Sequence, residues 1–193
     1  EAELRRRNVS CPANQMPILQ RVIHTSADFD YIQNLTFSEN AVEKALDALR
    51  NGADIITDTN MALSGINKKS LHALGGEAHC FMSDPDVAAE AKRRGITRAM
   101  VSMEKAARLS SDNLIFAIGN APTALIQLEQ LIREHQLAPK LIIGVPVGFV
   151  NVVEAKELIL QSGVPCIVAR GNKGGSNIAA AICNALLYQL YRA

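Results

Sequence analysis

The chain has 193 residues, 48% of them hydrophobic and 20% charged, and a formal net charge of +1. That length fits one domain with a sizeable core, and the small charge lacks the basic field of a nucleic-acid binder. Trp is absent and aromatics are 4%, too few for a base-stacking surface, and no apolar run reaches the roughly 18 residues of a membrane span.

In chain order, residues 1–20 begin basic and contain Pro12 and Pro17, the end of a helix and then a loop. Ile18 to Ile23 starts a helix that presents His24. Asn40 to Arg50 reads as a helix, with an Asn40/Glu43 capping box and an apolar face of Ala41, Ala45, Leu46 and Leu49. Asn51-Gly52 ends it. Ala53 to Thr57 is a short buried strand running into a polar loop, Asp58 to Gly65. Gly75-Gly76 is a turn and His79 to Ser83 a second strand. Asp84-Pro85 opens a helix that Gly95 stops after Arg94. Another helix spans Thr97 to Leu109.

Three similar units follow. Strand Leu114–Ile118 enters Gly119 to Thr123 and a helix, Ala124 to His135. Strand Leu141–Gly144 enters Val145 to Phe149 and a helix from Val152 to Gln161. Strand Cys166–Ala169 enters Arg170 to Ser176 and a final helix, Asn177 to Tyr191, whose stripe of Ile178, Ile182, Ala185, Leu186 and Leu190 reads as core. Continuously apolar strands alternating with helices imply parallel strands covered on both faces. The expected fold is a single α/β domain: a doubly wound, mainly parallel sheet of about five strands with helices on both faces.

In such a sheet ligands bind beyond the carboxyl ends of the strands. Here those ends begin at Asp58, Gly119, Val145 and Arg170, and all are rich in Gly, Pro, Asn, Thr or Ser. Gly lets a ligand approach the backbone, and helix N-termini favour anions. Asn120, Thr123, Gly174, Gly175 and Ser176 are candidate ligand positions, and Arg98, Arg170 and Lys173 add positive charge. Tight turns alone also account for Gly in any one such loop. The nucleotide fingerprints GxGxxG and GxxxxGK[ST] are absent. The four cysteines form no CxxC pair, which fits reduced thiols in a cytoplasmic protein, and no two histidines have metal-ligand spacing. No signal peptide is visible, and because the chain starts at Glu1 an upstream segment is expected to be missing.

The densest chemistry lies in Arg21-Val-Ile-His-Thr-Ser-Ala-Asp-Phe-Asp-Tyr31. Imidazole transfers protons in both directions near neutrality, so His24 is the candidate acid/base, with Arg21 and Thr25 beside it. The alternative is a core or capping histidine. Asp28 and Asp30 read as supports that orient His24 or cap the following turn, ahead of a role as paired acids.

That stretch, together with Thr57-Asp-Thr-Asn-Met-Ala-Leu-Ser-Gly-Ile-Asn67, Gly95-Ile-Thr-Arg98, Gly119-Asn-Ala-Pro-Thr-Ala-Leu125, Gly144-Val-Pro-Val-Gly-Phe-Val150 and Gly174-Gly-Ser-Asn177, resembles the precorrin-8X methylmutases of cobalamin biosynthesis. The wording is closer to the cobalt-precorrin-8 branch. The resemblance implies an isomerase that moves a methyl group from C11 to C12 of the tetrapyrrole, a suprafacial 1,5-shift giving cobyrinate, or hydrogenobyrinate from the metal-free form. It implies no cofactor, since any cobalt belongs to the substrate, and a homodimer with the pocket near the subunit interface. The family's active-site histidine matches His24 and its arginines match Arg21 and Arg98. A pocket loop matches Asp58, Thr59 and Met61, and a second matches Val147, Gly148 and Phe149. The family's upstream segment, with a substrate-facing serine, has no match here, so the N-terminal part of the domain is expected to be incomplete. A non-catalytic corrinoid carrier using the same pocket is the alternative.

Overall fold

The computed structural model describes residues 2–7, 9–109 and 112–192. The chain opens with helices α1 (Ala2–Arg6), α2 (Met16–Ser26) and α3 (Tyr31–Asn34), then strand β1 (Leu35–Phe37) and helix α4 (Ala41–Arg50). Next come β2 (Asp54–Thr57), α5 (Asn60–Gly65), α6 (Lys68–Ala73), β3 (Ala78–His79), α7 (Pro85–Arg94) and α8 (Arg98–Ala106). The last units are β4 (Leu114–Ile118), α9 (Pro122–Arg133), β5 (Leu141–Gly144), α10 (Val152–Gln161), β6 (Cys166–Ala169) and α11 (Ser176–Leu190).

Among the described residues six strands form one sheet in the order β1-β6-β5-β4-β2-β3. All neighbours are parallel except β1, which runs antiparallel to β6 with Leu35 opposite Ala169. The doubly wound arrangement follows from the strands being apolar on both sides. Ile115 and Ala117 of β4 pack towards α2, α4 and α11, whereas Leu114, Phe116 and Ile118 pack towards α8, α9 and α10. Phe116 is wholly buried, and burying such a side chain stabilises by about 1.5–3 kcal/mol. The stripe of α11 is core as expected: Ile178, Ile182, Ala185 and Leu186 are buried.

Four local expectations are corrected. The sheet has a sixth strand, β1, a three-residue antiparallel edge. The polar stretch after Thr57 is not all loop, because Thr59 Oγ1 accepts the Ala62 N–H and starts α5; Asn67 starts α6 in the same way by accepting from Ser70 N–H. The strand expected over His79–Ser83 stops at His79, and Phe81 turns away to pack beside Val87, Ala91 and Val101. The Asn40/Glu43 capping box does not form: Asn40 is left-handed at φ 55° with no side-chain cap, and the Glu43 carboxylate instead accepts from the Asn14 amide. The expected upstream segment concerns positions outside the described residues. Among those residues no helix is long and apolar enough to cross a membrane.

Candidate active site

Pro17 suits the first turn of α2, where its missing N–H is not needed. Ile18, Leu19, Val22 and Ile23 are buried and anchor the helix against the core. Arg21 and His24, one helical turn apart, therefore share an outer face. They line a cavity of about 430 Å³ between α2 and α11, with Pro17, Gln20, Ala185, Tyr188, Gln189 and Arg192. The Arg21 guanidinium lies 4.8 Å from the centroid of the Tyr188 ring, and that of Arg192 lies 5.7 Å from it. The Tyr188 hydroxyl accepts from the Asn67 amide at 3.1 Å, which fixes the ring. Among the described residues two guanidiniums and an imidazole line this cavity and no carboxylate does, so it favours anions. His24 and Thr25 are exposed.

After His24, Ala27 adopts a left-handed conformation at φ 54° and its N–H bonds to Ile23 O, which ends α2. Asp28 makes no hydrogen bond to the His24 imidazole. Its Oδ1 accepts the Asp30 N–H at 2.9 Å, and its Oδ2 lies 2.6 Å from Lys173 Nζ. Asp30 Oδ2 meets the same ammonium at 2.5 Å. The Lys173 contact holds the Asp28 carboxyl below its ordinary range. Capping and pairing, not contact with the imidazole, are what these two carboxylates do.

The strand-end loops are tied to one another. Asp58 is buried, and its carboxylate accepts the N–H groups of Gly119, Asn120 and Ala121 at 2.9, 2.8 and 2.6 Å. Burial pushes this carboxyl up, and the N–H groups oppose that shift. These three N–H groups of the turn before α9 are thus taken by the protein's own carboxylate, and Asp58 faces the backbone rather than solvent. Thr59 and Ser176 share a hydroxyl hydrogen bond of 2.7 Å. Thr97 and Thr123 share one of 3.0 Å, beside the exposed Arg98.

The glycines serve loop packing. A Cβ on Gly119 would lie 2.6 Å from Ser176 Cα, and one on Gly174 would lie 2.1 Å from Val145 O. On Gly175 it would meet Asn177 Oδ1 at 2.5 Å. The space that each missing Cβ leaves is filled by the protein. Gly148 is bonded both ways to Asn172: its N–H donates to the Asn172 carbonyl and its own carbonyl accepts the Asn172 amide. Arg170 is drawn to Glu157 at 3.3 Å. Asn120 is exposed, as are Met61, Val147 and Phe149, the last at 92%. The cavity beside His24 is lined by none of these strand-end residues. A larger cavity, about 780 Å³, lies at the opposite end of the sheet beside Asn113, Lys140 and Pro165 and contains no candidate residue. Among the described residues no three His, Cys, Asp or Glu side chains are grouped to hold a metal.

The precorrin-8X methylmutase family profile matches residues 1–189. The chain belongs to that family. It is 51% identical over 176 residues to the cobalt-precorrin-8 methylmutase of Salmonella typhimurium, covering 91% of this chain and 82% of that protein. The precorrin-8X methylmutase of Pseudomonas aeruginosa is 38% identical, covering 91% and 84%. The crystal structure of the precorrin-8X methylmutase from Thermus thermophilus superposes with a TM-score of 0.84 at 36% identity, covering 93% and 87%. As a family member the chain is an isomerase of cobalamin biosynthesis. In this methylmutase fold the sequence reading missed Tyr188, Gln189 and Arg192, which line the His24 cavity, and Lys156. Lys156 is a wholly buried cation on α10 whose Nζ donates to Gly171 O at 2.7 Å and Lys173 O at 2.9 Å. Its position four after Val152 and three before Ile159, on the buried stripe of that helix, was the available signal.

Proposed function

We propose that the chain moves the C11 methyl group of cobalt-precorrin-8 to C12, giving cobyrinate, with His24 as proton donor and acceptor. The observation that carries this reading is the cavity in which His24 is flanked by Arg21 and Arg192 and, among the described residues, by no carboxylate. Such a lining suits a macrocycle with acetate and propionate arms. Arg21 and Arg192 pair with carboxylate arms, while His24 lends a proton to the conjugated ring. The added positive charge draws electron density from the bond that breaks at C11, and the methyl group carries its pair to C12 on the same face. His24 then takes the proton back, so the reaction is proton-neutral. The cobalt is part of the substrate.

The exposed strand-end residues Met61, Arg98, Asn120, Val147 and Phe149 are read as a second wall, reached by the macrocycle when a second copy of the chain closes over the cavity. The apolar exposure of Phe149 and Val150 supports such a homodimer. Thr59, Thr123, Arg170, Gly174, Gly175 and Ser176 hold the shape of those loops, and Asp58 anchors two of them. A cytoplasmic setting fits this role.

Incubation of the chain with cobalt-precorrin-8 and with its metal-free analogue tests the reading. The visible spectrum changes to that of a corrin, faster with the cobalt form. Tight corrin binding without any turnover points instead to a carrier.

A further inference from the structure

Lys156 has no carboxylate partner among the described residues, and both of its hydrogen bonds go to backbone carbonyls of the loop after β6. A wholly buried ammonium is costly, and keeping one requires that its N–H groups be used. The loop it holds is short and fixed at neighbouring points. The Asn172 carbonyl accepts from Gly148 N–H, Gly175 N–H donates to Val145 O, and Arg170 N–H donates to Asn34 O. Lys156 takes the carbonyls on either side of Asn172 and so sets the peptide planes around Lys173. The Lys173 side chain leaves that fixed backbone to pair with Asp28 and Asp30. These two carboxylates form the turn that follows α2, four and six residues after His24.

We propose that Lys156 is a positioning residue for the His24 end of α2, acting through the Lys173 backbone and the Lys173 ammonium on the Asp28–Asp30 turn. The Lys173 side chain is 44% exposed and that of Asp30 66%, and solvent-exposed ion pairs contribute little to stability. The effect therefore lies in geometry: without the strut the turn and the last turn of α2 sample other positions. A catalytic group displaced by a fraction of its productive geometry loses rate far more than affinity.

The inference rests on the methylmutase reading only for its kinetic readout. Hydrogen exchange is measured on the wild type, Lys156→Met and Lys173→Met. Both variants show faster exchange over residues 27–31, on the order of tenfold, and Lys156→Met also over 170–175. Both convert cobalt-precorrin-8 about 10- to 100-fold more slowly with KM little changed, and Lys173→Arg restores most of the rate. Exchange that rises in Lys156→Met only over 170–175, or a Lys173→Met chain with wild-type exchange over 27–31, overturns the proposal. If Lys156→Met does not fold, Lys173→Met, a surface change, decides alone. If the wild type turns over neither substrate, the methylmutase reading fails while the exchange data still judge the strut.

Discussion

Arg21 lays its guanidinium over the ring of Tyr188, 4.8 Å from the centroid, and makes no ion pair among the described residues. The ring orients the cation without neutralising it. Its N–H groups remain available to a carboxylate arriving in the cavity, in a planar fork that matches carboxylate geometry.

Replacing that ring should therefore weaken binding without unfolding the chain. Tyr188→Leu is expected to raise the dissociation constant for the corrin product about 2- to 5-fold, the size of a partly exposed cation–π contact. Tyr188→Phe keeps the ring and loses only the Asn67 hydrogen bond, so it falls between. A titration followed by visible absorbance measures both.

Asp58→Asn should cost stability by about 1–3 kcal/mol. An amide offers one acceptor oxygen where three N–H groups now converge, and its NH₂ would face a donor. Chemical denaturation reads this directly. Unchanged stability with weakened corrin binding would mean that Asp58 meets the ligand instead.

The glycines divide by what surrounds them. Gly174→Ala drives a methyl group onto the Val145 carbonyl and should cost roughly 1–3 kcal/mol or more. Gly163, at φ +78° with open space around it, should cost only about 1 kcal/mol as alanine, the penalty of a left-handed backbone. Thermal melts of the two variants give the comparison.

Lys156 should leave a mark on the alkaline side of the stability profile. Burial pulls its ammonium down from the ordinary 10.5 to about 8. Between those values the unfolded chain binds more protons than the folded one, so raising the pH favours folding. Relative to Lys156→Met, the wild type is expected to gain up to about 3 kcal/mol from pH 8 to 10.5. That gain is lost again as the pH falls from 10.5 to 8, below which both states are charged. Denaturant midpoints at several pH values, taken as the difference from the variant, isolate this group from other lysines.

The strands of the central sheet were legible because they are apolar on both faces: Leu114–Ile118 and Leu141–Gly144 leave no other reading. β1 was not, since three residues on an antiparallel edge have no period to detect. α5 and α6 are six-residue helices started by the side chains of Thr59 and Asn67, so capping alone carried their signal. At the site, His24 stood out through the dense run of basic, hydroxyl and carboxylate groups around it, and Arg21 through the family resemblance; the helix α2 places both on one outer face. The roles of Gly119 and Gly174 were not, because the atoms that fill their missing Cβ positions come from Ser176 and Val145, which are distant in sequence. Tyr188 and Arg192 lie off the core stripe of the final helix and carried no signal of their own. Only the tertiary pairing of α11 with α2 turns them towards His24.

The central claim is that His24 moves a proton during methyl migration. The direct measurement is single-turnover conversion of cobalt-precorrin-8 by His24→Asn and His24→Gln, with substrate binding measured separately. Both variants are expected to bind the tetrapyrrole as the wild type does and to rearrange it about 10²- to 10⁴-fold more slowly. Conversion at the wild-type rate by either variant would contradict the account.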